Sequence, residues 1–451
     1  MKLLLFLFIV PTFVLAATTA PSTQPSSRAV IVKNHLDIVP HTDAQGHILT
    51  KYDPQKSFFP IGAWGQVLPD AQGGPYVSWR DMKAQGFNTI WPLNWDDRAI
   101  DVAEDAGIQL VYMGHIDDAH AVKYKNHPRL LGNMWMDEPA GQLNIPNFDM
   151  PKLFDSFLAY KKHINESMPG LPVFVNDAPA IFPDPPKFKQ WWLKWNTAGD
   201  VSCQDDYPIV DRKRRTRSLG EEPTGIPQCV SLAVSSNNDR KPVWTIVGAF
   251  DAPADPQWPF RMPTPVQLRA EVYTAIVSGA TGIAYFVPDS HEARRGGVIG
   301  MSPRPKAQYA PGEAAIASPL ELIQSKALWE TAAQVNAELK ELTPLLLSPT
   351  VGPEFEISAK VEGEAVTASP LRCMLKHNVA AGSYVLLAVN VDDAVLTATV
   401  TLPKPLNNIR VLFENRTAPS ADATRTRFSD RFEPFDVHVY RLTFDKPATK
   451  P

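Results

Sequence analysis

Residues 86–115 read GFNTIWPLNWDDRAIDVAEDAGIQLVYMGH. Two apolar runs, Phe87 to Trp95 and Ile108 to His115, flank a segment whose apolar residues recur at helical spacing. Asp96 stands where a side-chain oxygen caps the first turn of that helix. Gly107 stands where the left-handed residue that ends a helix belongs. Half-exposed strands alternate polar and apolar residues, and these runs do not. Short continuous apolar runs on either side of a helix are strands covered on both faces, the mark of a parallel sheet.

The same texture continues in both directions, from residue 57 to about residue 346. Ser57 to Gly65 reads as a first strand, followed by a short helix from Val77 to Gln85 that Gly86 stops. The pair above supplies strands two and three. Leu130 to Glu138 is a fourth, followed by a helix from Pro151 to Met168 with Leu153, Phe157, Tyr160 and Ile164 on one face. Pro172 to Asp177, Asp200 to Tyr207, Pro242 to Phe250 and Ala280 to Pro288 are strands five to eight. Helices run from Gln267 to Val277 and from about Leu320 to Leu342. Eight buried strands alternating with helices over this length predict a closed (β/α)8 barrel. An open doubly wound sheet usually begins with a glycine-rich phosphate turn, and Gly65 to Tyr76 has no such fingerprint.

Past Pro349 no helical period survives. Tyr384 to Asn390, Thr397 to Leu402, Ile409 to Glu414 and Val437 to Leu442 alternate or run β-branched between turn residues. This predicts an antiparallel β-sandwich over residues 350–445, with the barrel over residues 31–346. At the other end, Lys2 precedes an apolar run from Leu3 to Leu15, and Ala16 offers a small residue for cleavage. Residues 1–16 therefore read as a signal peptide, and residues 17–30, rich in Ala, Thr, Pro and Ser, as a flexible tether. The expected destination is secreted or periplasmic, without stable membrane insertion.

A net charge of −4 gives no long-range pull on nucleic acid. The basic run Arg212 to Arg215 reads as a solvated loop facing Glu221 and Glu222. Of the three cysteines, Cys203 and Cys229 either bridge in an oxidising compartment or stay buried thiols, as Cys373 does.

In a barrel of this kind the active site lies at the C-terminal ends of the strands. Those ends carry His115, Asp137-Glu138-Pro139, Asn176-Asp177, Asp205-Asp206-Tyr207, Asp251 and Asp289, edged by Trp64, Trp91, Trp95, Trp135 and Phe286. Carboxylates and amides bind sugar hydroxyls, and flat aromatic rings stack on the apolar face of a pyranose, so the mixture points to carbohydrate.

RLLGNMWMDEP (129–139) resembles the fourth strand of (β/α)8 glycoside hydrolases of the clan that includes cellulases and β-galactosidases, where an Asn-Glu pair supplies the general acid/base. FFPIGAWG, GFNTIWPL, the Gly107-Ile108-Gln109-Leu110 lead and GATGIAYF are similar to other strands of that group. FENR and FSDRFEPFDVHVYRL resemble the sandwich that often follows it. The resemblance implies Glu138 as proton donor, no cofactor and no metal. It also implies a nucleophilic Glu at the end of strand seven, where this chain has Gly248, Ala249 and Phe250. Asp206, or its neighbour Asp205, is then the first substitute for the second catalytic carboxylate, with Asp206 ranked ahead of Asp251 and Asp289, and Asp205 also joins the substrate-binding set. A non-catalytic sugar-binding barrel fits the missing Glu as well. A metal-dependent hydrolase needs His115, His120 and a third ligand to converge.

Overall fold

The computed structural model describes residues 27–28, 30–31, 59–66, 77–92, 97–178, 185–209, 219, 225–252, 260–288, 298–301, 319–347, 350, 355–362, 370–378 and 381–444. The signal peptide, the basic run at Arg212, Trp95 and Asp289 lie outside the described residues.

Two short strands come first, β1 (Ser27–Arg28) and β2 (Val30–Ile31). The barrel follows: β3 (Ile61–Gln66), α1 (Trp79–Ala84), β4 (Thr89–Pro92), α2 (Arg98–Ala106), β5 (Gln109–Met113), α3 (Asp118–Tyr124) and β6 (Leu130–Asp137). After a 3-10 turn at Pro139–Asn144 come α4 (Met150–Ser167), β7 (Val173–Asp177), α5 (Pro185–Ala198) and β8 (Val201–Gln204). The run ends with α6 (Ile226–Ser236), β9 (Val243–Gly248), α7 (Pro265–Val277), β10 (Gly282–Phe286) and α8 (Pro319–Leu346). Strands β3 to β10 pair in chain order, and β10 closes on β3 through Ile283 opposite Ile61, all parallel. These are the eight strands expected from the sequence. Helix α2 ends as expected, with Gly107 at φ 67°, but begins at Arg98 with Asp97 in the cap position.

Each barrel strand buries both faces, one inward and one against helices. Trp64, Trp91, Val111, Met134, Phe174, Cys203, Trp244 and Ala284, one from each strand, fill the interior. Ile61, Ile90, Leu110, Val173 and Val247 face outward into the helical layer. Two glycines let the large rings in: a Cβ on Gly132 would meet Phe174 at 2.8 Å, and one on Gly282 would meet Trp244 at 2.8 Å.

The C-terminal part consists of β11 (Glu356–Val361), β12 (Leu371–Asn378), β13 (Ser383–Asn390), β14 (Leu396–Thr401), β15 (Leu406–Leu412), β16 (Arg427–Phe432) and β17 (Val437–Phe444). One sheet runs β1-β11-β14-β16 and the other β15-β17-β13-β12-β2. Ile357, Ala398 and Phe428 of the first pack against Leu375, Leu386 and Tyr440 of the second, which makes a sandwich. The alternate residues of the second sheet, Met374, Leu387, Val389 and Val439, join the core of the helical layer. Arg269 of α7 ties the two parts together: it pairs with Glu338 of α8 at 3.1 Å and donates to the Val437 carbonyl at 2.7 Å.

Strands β1 and β2 correct the sequence reading. Residues 27–28 belong to the first sandwich sheet, through Ser27 opposite Ala359, and residues 30–31 to the second, through Val30 opposite Arg372. The last residues of the expected tether, and the first of the expected barrel, are strands of the C-terminal domain. Two-residue strands are too short to leave an alternation in the sequence. Cys203, Cys229 and Cys373 are buried free thiols. Cys203 faces the barrel interior and Cys229 sits on α6, so the bridge weighed from the sequence does not form. No helix among the described residues is long and apolar enough to cross a membrane.

Candidate active site

Strand β6 delivers Asp137 and Glu138 to the mouth of the barrel. Strand geometry stops at Glu138, whose backbone is left-handed (φ 43°) and opens the 3-10 turn at Pro139. The next strand holds that bend. The Glu138 N–H donates to the Asn176 carbonyl at 3.1 Å, and the Asn176 side-chain amide donates to Asp137 at 2.8 Å. Asp177 accepts from the Ala140 N–H at 3.2 Å. Asn176 and Asp177, both fully buried, thus position the acidic loop rather than face a ligand.

Strand β8 decides which carboxyl meets Glu138. Cys203 points into the barrel, so by the two-residue period Asp205 does too, above it. Asp205 comes within side-chain hydrogen-bond reach of Glu138 and Asn176. Gln204 and Asp206 take the outward face. Gln204 bonds Asn196 of α5, and Asp206 lies near Glu271 of α7. Asp205, expected to bind substrate or to stand in for Asp206 as the second carboxylate, is therefore the one of the two beside Glu138. Asp206, expected as the second catalytic carboxylate, is buried behind the barrel wall. The run of polar residues after Gln204 shows no alternation in sequence, which is why the two neighbours could not be told apart there.

The electrostatics follow from crowding. Burial drives the Asp205 carboxyl well above the usual carboxylate range, and the charges of Glu138 and Asp137 add to it. The side-chain contact with Glu138 pushes the same way, and the one with Asn176 opposes. Asp137 keeps an exposed edge, yet the protein crowding its carboxyl raises it to about 6. Glu138 pushes in the same direction, and the Asn176 bond opposes. Burial alone raises Asp206. The result is a cluster of three carboxyls and an amide at the mouth, crowded so that proton uptake is favoured.

An aromatic cluster adjoins these carboxyls through Tyr207. Tyr207 stacks on Phe286, with ring centroids 5.7 Å apart, and meets Phe250 and Phe260 edge-on at 5.3 and 5.6 Å. Phe260 was not foreseen, because a loop phenylalanine carries no strand-end signal. Trp244 and Ile246 of β9 face inward, so Gly248 does too. A Cβ on Gly248 would stand 3.1 Å from the Tyr207 ring. The place from which a strand-seven carboxylate would project is covered by Tyr207.

Other expected stacking residues went elsewhere. Trp64 and Trp91 are 4% and 1% exposed inside the barrel, where they pack on each other. Trp135 turns outward and stacks on Tyr160 of α4 at 5.9 Å. His115 is exposed and also lies on Tyr160, at 4.6 Å. His120 is held by Asp117 at 2.7 Å and Asp97 at 3.3 Å, so His115 and His120 do not converge. Asp251 pairs through its backbone with Ile299 and is buried beside the aromatic cluster's Phe250.

No protein-family profile matches the chain, and neither does any curated protein. Among solved structures, the family 51 α-L-arabinofuranosidase AbfB from Bifidobacterium longum shares 11% identity at a TM-score of 0.49, covering 94% of this chain and all of the other. Gan42B, a GH42 β-galactosidase from G. stearothermophilus, shares 9% identity at a TM-score of 0.48, covering 85% of this chain and 98% of that one. An α-amylase from H. orenii shares 10% identity at a TM-score of 0.47, over 85% of this chain and 100% of that one. At such identities and scores these likenesses decide nothing about chemistry, and the barrel stands on its own strand pairing.

Proposed function

We propose that this chain is an exported glycoside hydrolase that cleaves O-glycosidic bonds in an oligo- or polysaccharide bound across the barrel mouth. The observation that carries the reading is the Glu138–Asp205 contact. Burial and the neighbouring carboxylates favour the protonated form of Asp205 beside Glu138, which suits proton transfer to a leaving oxygen. Glu138 is the proton donor. Asp205 is its partner in proton handling, and Asp137, fixed by Asn176, is the third acidic contact for the sugar. The half-buried Tyr207 and Phe286 offer an apolar wall for a sugar ring. Hydrolysis of a polysaccharide panel, wild type beside Glu138→Gln, tests this. The amide keeps size and hydrogen bonding but has no transferable proton. A loss of roughly a hundredfold or more on a substrate the wild type cleaves supports the role. Equal rates overturn it.

One observation favours a second reading, a barrel that binds sugar without cleaving it: Tyr207 covers Gly248, where a second carboxylate would project. That reading expects glycan binding unchanged by Glu138→Gln and no turnover by either protein.

A further inference from the structure

We infer that Asn176 is a positioning residue for the acid pair: its side-chain amide holds Asp137 as the carboxylate, so that the proton the chemistry needs stays on Glu138. The inference rests on the hydrolase reading above. Asp137 and Glu138 are neighbours in the chain, and crowded acids compete for a proton. A general acid has to be the member that carries it, so something must settle the competition.

The deciding group comes from β7. Asn176 stands opposite Asp137 in the strand pairing. Its Nδ2 donates to Oδ1 of Asp137 at 2.8 Å, and its backbone carbonyl accepts the Glu138 N–H at 3.1 Å. One fully buried residue therefore holds the side chain of the first acid and the backbone of the second. Asp177, next along the strand, accepts the Ala140 N–H at 3.2 Å and anchors the chain beyond Glu138. Between these anchors Glu138 takes its left-handed backbone, at φ 43°. Backbone contacts fix the bend, and the Asn176 amide is left to act on charge.

That amide is set for a carboxylate. It turns its N–H to Asp137, and an ionised carboxyl can only accept, whereas a protonated one could donate to the amide oxygen. The Asn176 oxygen, Oδ1, is buried and has no hydrogen-bond partner among the described residues. A buried acceptor left unpaired is a cost, and an asparagine kept for packing alone pairs both ends. Asn176 gives up its acceptor to make this donation. Burial carries the Asp137 carboxyl up to about 6 against the Asn176 bond, the largest opposing influence, and the Glu138 charge adds to the rise. Without the donor Asp137 goes further up and competes for the proton at neutral pH.

The test reads Asp137 directly and needs no substrate. Aspartate labelled with carbon-13 at its side-chain carboxyl is followed by NMR across pH, with the Asp137 signal assigned by its loss in Asp137→Asn. The wild-type midpoint should lie at about 6. Asn176→Leu keeps the size and removes the donor, so its midpoint should rise by roughly one unit, a tenfold tighter hold on the proton. The wild-type Asn176 side-chain amide, labelled with nitrogen-15, reads the same contact without a substitution, and its signals should move through the Asp137 midpoint. It decides alone if Asn176→Leu does not fold. An Asp137 midpoint unmoved in Asn176→Leu, or Asn176 amide signals that ignore the Asp137 titration, overturns the inference. The hydrolase reading stands or falls separately, on Glu138→Gln and the polysaccharide panel. On any substrate that panel identifies, the acidic limb of kcat/KM against pH should move up in Asn176→Leu with the Asp137 midpoint; an unmoved limb overturns the role given to Asn176 and leaves the hydrolase reading standing.

Discussion

Replacing Gly282 by Ala puts the barrel interior to a sharp test. Gly282 sits at the start of β10 opposite Trp244 of β9. A Cβ there would lie 2.8 Å from Cδ1 of the Trp244 indole and 3.0 Å from its Cγ and Nε1. Carbon atoms in good contact stand about 3.5–4.0 Å apart, so the overlap is on the order of 1 Å. The clash falls at the root of the indole, which a change at its far end cannot relieve. Trp244 is 1% exposed, with Phe174 edge-on at 4.7 Å and Trp91 at 5.8 Å, so it has nowhere to retreat. Overpacking of this kind costs about 1–3 kcal/mol, and the confinement puts Gly282→Ala at the upper end. For a domain of this size that is a fall in Tm of roughly 6–12 °C. Thermal unfolding followed by near-UV circular dichroism reads it directly. Trimming the ring relieves the clash, so Trp244→Phe together with Gly282→Ala should destabilise less than the sum of the two single changes. An unchanged Tm for Gly282→Ala, or strict additivity in the pair, would refute the packing described.

Asp205→Asn keeps a donor toward Glu138 and should retain at least roughly tenfold more activity than Asp205→Ala, measured as kcat/KM across pH; equal losses would remove Asp205 from proton handling. Glu271 is fully buried beside Asp206 and Arg261; burial raises its carboxyl well above 4.5, the Asp206 charge adds, and Arg261 opposes. The native state therefore holds the Glu271 proton more tightly than the unfolded chain does, and wild-type stability declines as pH climbs from the ordinary carboxyl range toward the raised native value. Glu271→Gln does not titrate, so its Tm relative to wild type should improve between about pH 5 and pH 8; parallel Tm–pH curves would contradict this. Arg269→Ala strips Glu338 of its cationic partner, leaving it only the Tyr273 hydroxyl, and the Val437 carbonyl of a donor, which should cost about 3 kcal/mol in urea unfolding.

The strand-and-helix order was legible because it rests on periodicity. IQLVYM and TIWP are continuous apolar runs, and a segment buried on both faces has to be written that way. The Gly107 stop was legible because only a left-handed residue closes that helix comfortably. Glu138 stood out as the carboxylate ending such a run. Three things lay beyond this. The side chosen by Asp205 and Asp206 depends on where β8 loses its alternation. The fates of Trp64, Trp91 and Trp135 depend on which way each strand faces once eight of them close. The joining of Ser27 and Val30 to strands more than three hundred residues away depends on contacts no local pattern encodes.

By itself, the sequence determined the order of elements, the two-part organisation and the rim of carboxylates, since local hydrophobic period and turn chemistry act over a few residues. Only the tertiary structure decided that Asp205 meets Glu138, that Tyr207 covers Gly248 and that two of the expected stacking tryptophans fill the barrel. Those outcomes belong to closure: joining β10 to β3 turns one face of every strand inward at once, and whichever side chains end on that face become core below and active site above.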